Sequence, residues 1–348
     1  MPATDIRNFT HLELTNYFIS INEKSFRAQQ VFEWIYQKGI NSFDAMKNLP
    51  QLLRDSLKKD FIFKSNHVDK KEISKDGTTK FLFDLEDHQK IETVLIPTAT
   101  RSTVCVSTQA GCKFGCKFCA SGLDGWKRNL TSSEIIDQIL QAKEESKKHK
   151  KPLSHVVYMG TGESFDNFDN VMKSIRILND KQGLNIGARR ITVSTCGVIP
   201  KLKQFAKEGL QIELAISLHG YDNASRNVLM PVNKKYPFDE LMVACREYVQ
   251  QTKRQITFEY ILIKDVTCTQ NAVQSLKKAF KGIICKMNLI PYNFVKEFDY
   301  QSPTHKEVFL FKKQLDEIGI HATIRRPRGK DINGACGQLR HLQEMDLL

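Results

Sequence analysis

The stretch Gly111-Cys112-Lys113-Phe114-Gly115-Cys116-Lys117-Phe118-Cys119 decides how the rest of this chain is read. Three of the nine cysteines fall here at the spacing Cys112-x3-Cys116-x2-Cys119, and Gly111 and Gly115 permit the tight turns that bring three thiolates to one point. A structural zinc site takes four protein ligands, and no nearby Cys or His pair completes one. Three thiolates suit a [4Fe–4S] cubane better. They hold three irons and leave the fourth open to a ligand, which marks a catalytic cluster rather than a simple electron carrier.

Downstream of this loop, strand and helix patterns alternate as in βα units. Strands are expected near 103–107, 155–159, 191–194, 212–217, 257–263 and 287–290, with a further helix and strand at 308–318 and 322–325. Helices are expected from Thr131, where Glu134 completes a capping box, and near 169–178, 200–207, 238–249 and 272–280. Six parallel units cannot close an eight-stranded barrel, so they make an open one with its chemistry at the C-terminal strand ends. Upstream, Thr10 with Glu13, Ser25, Ser42, Gly39 and Pro50 punctuate three or four short helices. Phe81, Phe83 and Leu85, then Ile91, Val94 and Ile96, alternate around polar turns at Asp76-Gly77 and Asp87. The expected fold is α/β: a small N-terminal helical domain over 1–65, a β-hairpin connector over 66–100 and a partial (β/α)6 barrel over 101–348. Usage of 41% apolar and 26% charged residues excludes collagen-like, disordered and membrane-embedded classes.

Each expected strand end offers a polar group. Met159-Gly160-Thr161-Gly162-Glu163 follows the second strand; its glycines let backbone approach a ligand, and Glu163 accepts from an ammonium group. Ser194, Ser217-Leu218-His219 and Asn293 end the third, fourth and sixth strands. Alone, each reads as a cap or turn residue. Together with the cluster loop they resemble the radical S-adenosyl-L-methionine (radical SAM, AdoMet) enzymes, and specifically the RlmN/Cfr-type RNA adenine methyltransferases. The resemblance covers nearly the whole chain, including Arg189-Arg190, Arg226 and Asn233-Lys234-Lys235-Tyr236.

The resemblance implies the following roles. Cys112, Cys116 and Cys119 hold one [4Fe–4S] cluster, while Gly162, Glu163, Ser194, Ser217, Leu218, His219 and Asn293 bind AdoMet. Cys336, in Gly334-Ala335-Cys336-Gly337, carries the methyl group taken from a first AdoMet; a second AdoMet initiates the radical step, so two are consumed per methylation. Cys105 resolves the covalent RNA adduct through a transient Cys105–Cys336 disulfide, and Glu92 matches a proton acceptor. Adenine C2 lies between two ring nitrogens and is too electron-poor to attack an electrophilic methyl, which is why a radical route is needed. The implied substrates are C2 of an adenine in 23S rRNA near the peptidyl-transferase centre and the adenine beside the anticodon in tRNA. Cfr-type enzymes share these residues and act at C8, which remains the alternative. A low-potential donor such as flavodoxin or ferredoxin is implied as reductant.

Charge agrees with an RNA partner: 52 Lys and Arg against 39 Asp and Glu leave +13, and Arg325, Arg326, Arg328 and Lys330 cluster before Cys336. A solvated lysine-rich surface gives the same sum. Ser164, Thr161 and Asn333-Gly334 depart from the family pattern, and only 12 residues follow Cys336, without the basic tail of many members. No apolar run reaches the ~18 residues that would span a bilayer, and no secretory h-region opens the chain, so a cytoplasmic monomer is expected. Two other classes stay open: a radical AdoMet activase or mutase with Cys105 and Cys336 structural, and an RNA-binding module whose cysteines hold a structural metal.

Overall fold

The computed structural model describes residues 3–340. Its N-terminal helices are α1 (His11–Ser20), α2 (Phe26–Phe32) and α3 (Gln51–Asp60). The Thr10 hydroxyl accepts from Glu13 N while the Glu13 carboxylate accepts from Thr10 N, the reciprocal cap that the spacing predicts. Ser25 and Ser42 stand at element starts but their side chains cap nothing, and Pro50 occupies the position before α3 rather than its first turn. Phe18, Phe32, Tyr36, Leu53 and Leu57 form the buried face of this bundle. A short parallel pair, Thr4–Asp5 with Phe61–Ile62, ties its two ends together beside the barrel.

The main sheet has ten strands: β1 (His67–Ile73), β2 (Thr79–Asp84), β3 (Lys90–Pro97), β4 (Ser102–Cys105), β5 (Leu153–Tyr158), β6 (Ile191–Thr195), β7 (Glu213–Ser217), β8 (Ile256–Leu262), β9 (Cys285–Pro291) and β10 (Ala322–Ile324). They lie side by side in chain order, from β1 at one edge to β10 at the other. From β4 to β10 every pairing is parallel, and the crossovers contain α4 (Ser132–Lys148), α5 (Phe168–Asn179), α6 (Ile199–Phe205), α7 (Asn223–Leu229), α8 (Phe238–Thr252), α9 (Gln270–Ala279) and α10 (His305–Glu317). The expected (β/α)6 core is thus present, with β10 adding a seventh parallel strand through Met287 opposite Ala322. The antiparallel region does not form a separate small sheet: β3 pairs with β4, Val94 opposite Cys105, so β1 to β3 extend the barrel wall. Helix α7 escapes the sequence patterns because its capping box uses Asp222 with Ser225 in place of an acidic third residue. Among the described residues no helix is long and apolar enough to cross a membrane.

One buried polar knot joins the N-terminal bundle to the barrel. Arg7 is 4% exposed and donates to Asp5, to the Lys64 carbonyl and to Asp137 on α4. Asp137 also accepts from Asn66 N and Gln141 Nε2, both at 2.8 Å. Removing one partner of such a pair leaves a buried charge uncompensated, which costs about 3–5 kcal/mol. Asp137→Ala is therefore expected to lower the thermal midpoint by several degrees, whereas Asp55→Ala on the exposed face of α3 is expected to leave it within about one degree; calorimetry on both variants checks this.

Candidate active site

The cysteine loop leaves β4 through a small ribbon in which Gln109–Gly111 pairs antiparallel with Trp126–Asn129. Gly111 has φ +73°, and a Cβ there would lie 1.9 Å from the Gly125 carbonyl oxygen, so no other residue fits. Cys112, Cys116 and Cys119 all face one cavity of about 160 Å³ that opens to solvent. Burial pushes the Cys112 thiol up to about 12 and raises Cys116 and Cys119 as well. Deprotonating three thiols there requires a strong local positive charge, which a metal core supplies. Among the described residues no three His, Cys, Asp or Glu side chains converge closely enough for a single ion. A cubane binds its thiolates on separate irons and so holds them farther apart. The donor set and its spacing fit a [4Fe–4S] cluster.

The cavity continues along the strand ends. Gly160, Gly162, Glu163, Ser194, Ser217 and His219 line it with Phe118, Met159 and Ile290. Glu163 is buried, and its carboxylate accepts from Phe165 N at 2.9 Å and Cys196 N at 2.6 Å. Burial nevertheless moves its pKa upward. The hydroxyls of Ser194 and Ser217 stand 3.2 Å apart on neighbouring strands. His219 Nδ1 accepts from Ile261 N at 3.0 Å, and burial drives its pKa down to about 3. The imidazole is therefore neutral with its proton on Nε2, a donor beside the Phe118 ring at 4.7 Å. Leu218 does not line the cavity; it is fully buried, and its carbonyl accepts from Arg226 Nε.

A second chamber adjoins this one and contains Cys105, Asn293 and Cys336. Cys336 lines both chambers. Its loop is pinned on the cluster side by Ala120 N to Gly337 O at 2.8 Å and Ser121 Oγ to Leu339 O at 2.8 Å. On the opposite flank Asn293 Nδ2 donates to Cys336 O at 3.1 Å, so Asn293 holds the cysteine loop rather than the first cavity. Cys105 packs with Val94 and Leu339. Burial pushes its thiol up to about 12, and the neighbouring Cys336 adds to the shift. Arg325 borders both chambers, pairs with Glu259 at 3.5 Å and opposes the upward shift of both thiols. It is thus a cavity residue whose side chain stays about one-third exposed, at 36%. Arg326 and Lys330 are exposed.

Residues 4–62 match the ribosomal RNA large subunit methyltransferase N-terminal domain family, and residues 106–268 match the radical SAM superfamily. A probable dual-specificity RNA methyltransferase RlmN of Clostridium novyi strain NT is 48% identical over 337 residues, 97% of each chain. Its counterpart from Geobacillus kaustophilus strain HTA426 is 46% identical over 339 residues, covering 97% of this chain and 93% of that one. The chain belongs to the RlmN family. A radical SAM methyltransferase of Sphaerobacter thermophilus superposes with a TM-score of 0.92 at 40% identity, over 97% of this chain and 99% of that one.

Within this RlmN-family fold, Glu92 lies apart from the two cysteines. It faces a third cavity with Asp124, Lys127, Leu339 and Arg340, although its strand neighbour Val94 touches Cys105. It is buried, pairs with Lys80 at 3.2 Å and leaves Oε2 without a hydrogen-bond partner. Sequence patterns passed over Cys196, Glu259 and Arg325 as cavity-lining residues, because isolated side chains inside βα units carry no spacing signal. The family departures are absorbed locally: Ser164 Oγ donates to Tyr158 O at 3.3 Å, Thr161 N to Ser107 Oγ at 2.9 Å, and Asn333 adopts φ +50°. The tail beyond Arg340 lies outside the described residues.

Two outcomes are expected from this geometry. Gly162 has φ +103°, and a Cβ there would stand 2.6 Å from Gln109 Cβ, so Gly162→Ala should strain the turn by about 1–3 kcal/mol; weaker AdoMet binding in calorimetry checks it. Burial moves the Glu92 carboxyl from 4.5 up to about 7. The folded state then binds this proton more tightly than the unfolded state, so Glu92 costs stability as pH rises through that window. Glu92→Gln should flatten the decline between pH 5 and 8, as measured by denaturant unfolding; an unchanged slope would count against the buried position.

Proposed function

We propose that this enzyme methylates C2 of an adenine in 23S rRNA and of the adenine beside the anticodon in tRNA. The observation that carries the reading is the placement of Cys336 on the wall shared by the chamber of the cluster cysteines and the chamber of Cys105. When bound, the cluster and AdoMet supply one-electron cleavage of AdoMet to a 5′-deoxyadenosyl radical. Cys112, Cys116 and Cys119 hold the cluster, and Glu163, Ser194, Ser217 and neutral His219 offer acceptors, hydroxyls and a donor to the AdoMet amino, ribose and adenine groups.

The protein's own work centres on sulfur. Cys336 attacks the methyl of a first AdoMet, forming an S–C bond as S-adenosylhomocysteine leaves. The Arg325 cation favours the thiolate against the upward push of the surrounding walls. Hydrogen removed from this S-methyl leaves a carbon radical that can add to the electron-poor C2. The adduct radical gives up one electron to the redox couple that drove the cleavage, and its C2 proton passes to a base, the role the resemblance gives Cys105. The Cys105 thiolate then attacks the Cys336 sulfur, the S–C bond breaks toward the methylene carbon, that carbon takes a proton to become the methyl group, and a disulfide is left for later reduction. Glu92 keeps the proton-acceptor role that the resemblance gives it, from the neighbouring cavity, where it shares the wall with Leu339, which packs on Cys105. The RNA target must leave its stack to reach this chamber, and the exposed Arg326 and Arg328 on its wall suit phosphates. The same reading takes a flavodoxin or ferredoxin as electron donor and a cytoplasmic monomer as the working form.

The deciding experiment combines anaerobically reconstituted enzyme, methyl-deuterated AdoMet and unmodified 23S rRNA or tRNA, with nucleosides read by mass spectrometry. 2-Methyladenosine keeping two of three methyl deuteriums is expected, while 8-methyladenosine would move the enzyme to Cfr chemistry. Cys336→Ala should still cleave AdoMet slowly yet give no methylated base. Cys105→Ala should accumulate a covalent protein–RNA species, and normal turnover of that variant would remove its assigned role.

A further inference from the structure

Arg226, on α7, is the largest fully buried side chain of the described residues. Its guanidinium donates to Leu218 O at 3.1 Å, Asn233 Oδ1 at 2.9 Å, Tyr236 O at 3.4 Å and Cys196 O. Every one of these acceptors is neutral, and no carboxylate among the described residues forms an ion pair with it. Burial works against its charge, and the groups that favour the charge are Cys196, Cys116, Cys245 and Glu163. Glu163 acts on it only through its field: no hydrogen bond or ion pair joins the two, and the Glu163 oxygens accept from the backbone N–H groups of Phe165 and Cys196. A dry cation without a counter-ion is a costly arrangement that a fold keeps only if some other charge answers it.

The surroundings point to which charge that is. Backbone closes tightly around the side chain: a Cβ at Gly220 would fall 2.8 Å from Arg226 Cβ, and one at Gly197 3.4 Å from Nη2. The helix bearing Arg226 ends at Leu229, whose carbonyl accepts from Lys117 N at 2.8 Å, inside the cysteine loop between Cys116 and Cys119. Arg226 itself does not line the cavity. It therefore meets whatever the loop holds through its field and through the loop's backbone, not by contact.

We infer that Arg226 is the built-in counter-charge of the iron–sulfur cluster, a positioning residue that raises the cluster's reduction potential and fixes the loop that carries Cys116. A cubane with three thiolates is net negative and becomes more so on reduction, so a fixed cation in low dielectric stabilises the reduced form. This rests on the cluster reading given above but not on the RNA substrate. A purely structural staple would hold the loop equally well without moving the potential.

The test is an EPR-monitored redox titration, with no RNA present, on wild type and three variants whose iron content is measured first. Arg226→Met should shift the midpoint to more negative potential, and Arg226→Lys should return most of the shift. Asn233→Asp keeps the acceptor 2.9 Å from Nη1 but makes it anionic, so it should also shift the midpoint negative while leaving Arg226 in place. If Arg226→Met does not fold, Asn233→Asp decides. Full iron content with an unchanged midpoint in either variant overturns the assignment. Wild-type protein that takes up no iron would instead overturn the cluster reading itself.

Discussion

The parallel pairing from β4 to β10 is the constraint on which the rest depends. Parallel strands must return by crossovers, so all their C-terminal ends open onto one rim. Residues far apart in the chain then meet without any local instruction to do so. Ser194 reaches Ser217 because β6 and β7 run together, and Ser217 stands opposite Glu259 for the same reason on β8. The antiparallel strands β1 to β3 matter because they carry Val94 to Cys105 and so supply the far wall of the second chamber.

Much of that rim is buried, and burial controls its charges. Burial raises the thiols and Glu163, lowers His219, and leaves Arg226 among neutral acceptors. Each shift disfavours the ionised form and is corrected only by an opposite charge brought close. Arg325 does this for Cys105 and Cys336 from inside the protein. Among the described residues, of the three loop cysteines only Cys116 feels a nearby cation, Arg226, so their ionisation belongs to the metal.

Much of this was legible in the sequence where local chemistry fixes local shape. The Cys112–Cys119 loop, the Thr10 and Thr131 capping boxes and the strand-end polar residues lie where their spacing places them. Leu218 and Asn293 show the limit. Both sit beside the cavity as expected, yet one turns its side chain into the core and the other holds the Cys336 loop, because which way a side chain faces after a strand end depends on tertiary packing. Glu92, a proton acceptor by resemblance, is enclosed by the third cavity and Lys80, an environment that its place in a strand does not announce. The continuity of β3 with β4 was illegible for a different reason: pairing across a turn says nothing about which larger sheet the hairpin joins.

The bonds that pin the Cys336 segment are long-range in the chain. Ser74 Oγ donates to Asp331 across 257 residues, Gly329 N reaches Asp76 across 253, and Ser121 reaches Leu339 across 218. Contacts of such separation carry a loop-closure entropy that the intervening sheet offsets by holding their two ends together. The cysteine loop closes over short separations at less such cost. A chain with the loop formed and the C-terminal segment undocked would have the cluster cysteines in place but not the wall that Cys336 supplies to both chambers. Docking of that segment, more than assembly of the barrel, divides the space at the strand ends into two chambers with a cysteine between them.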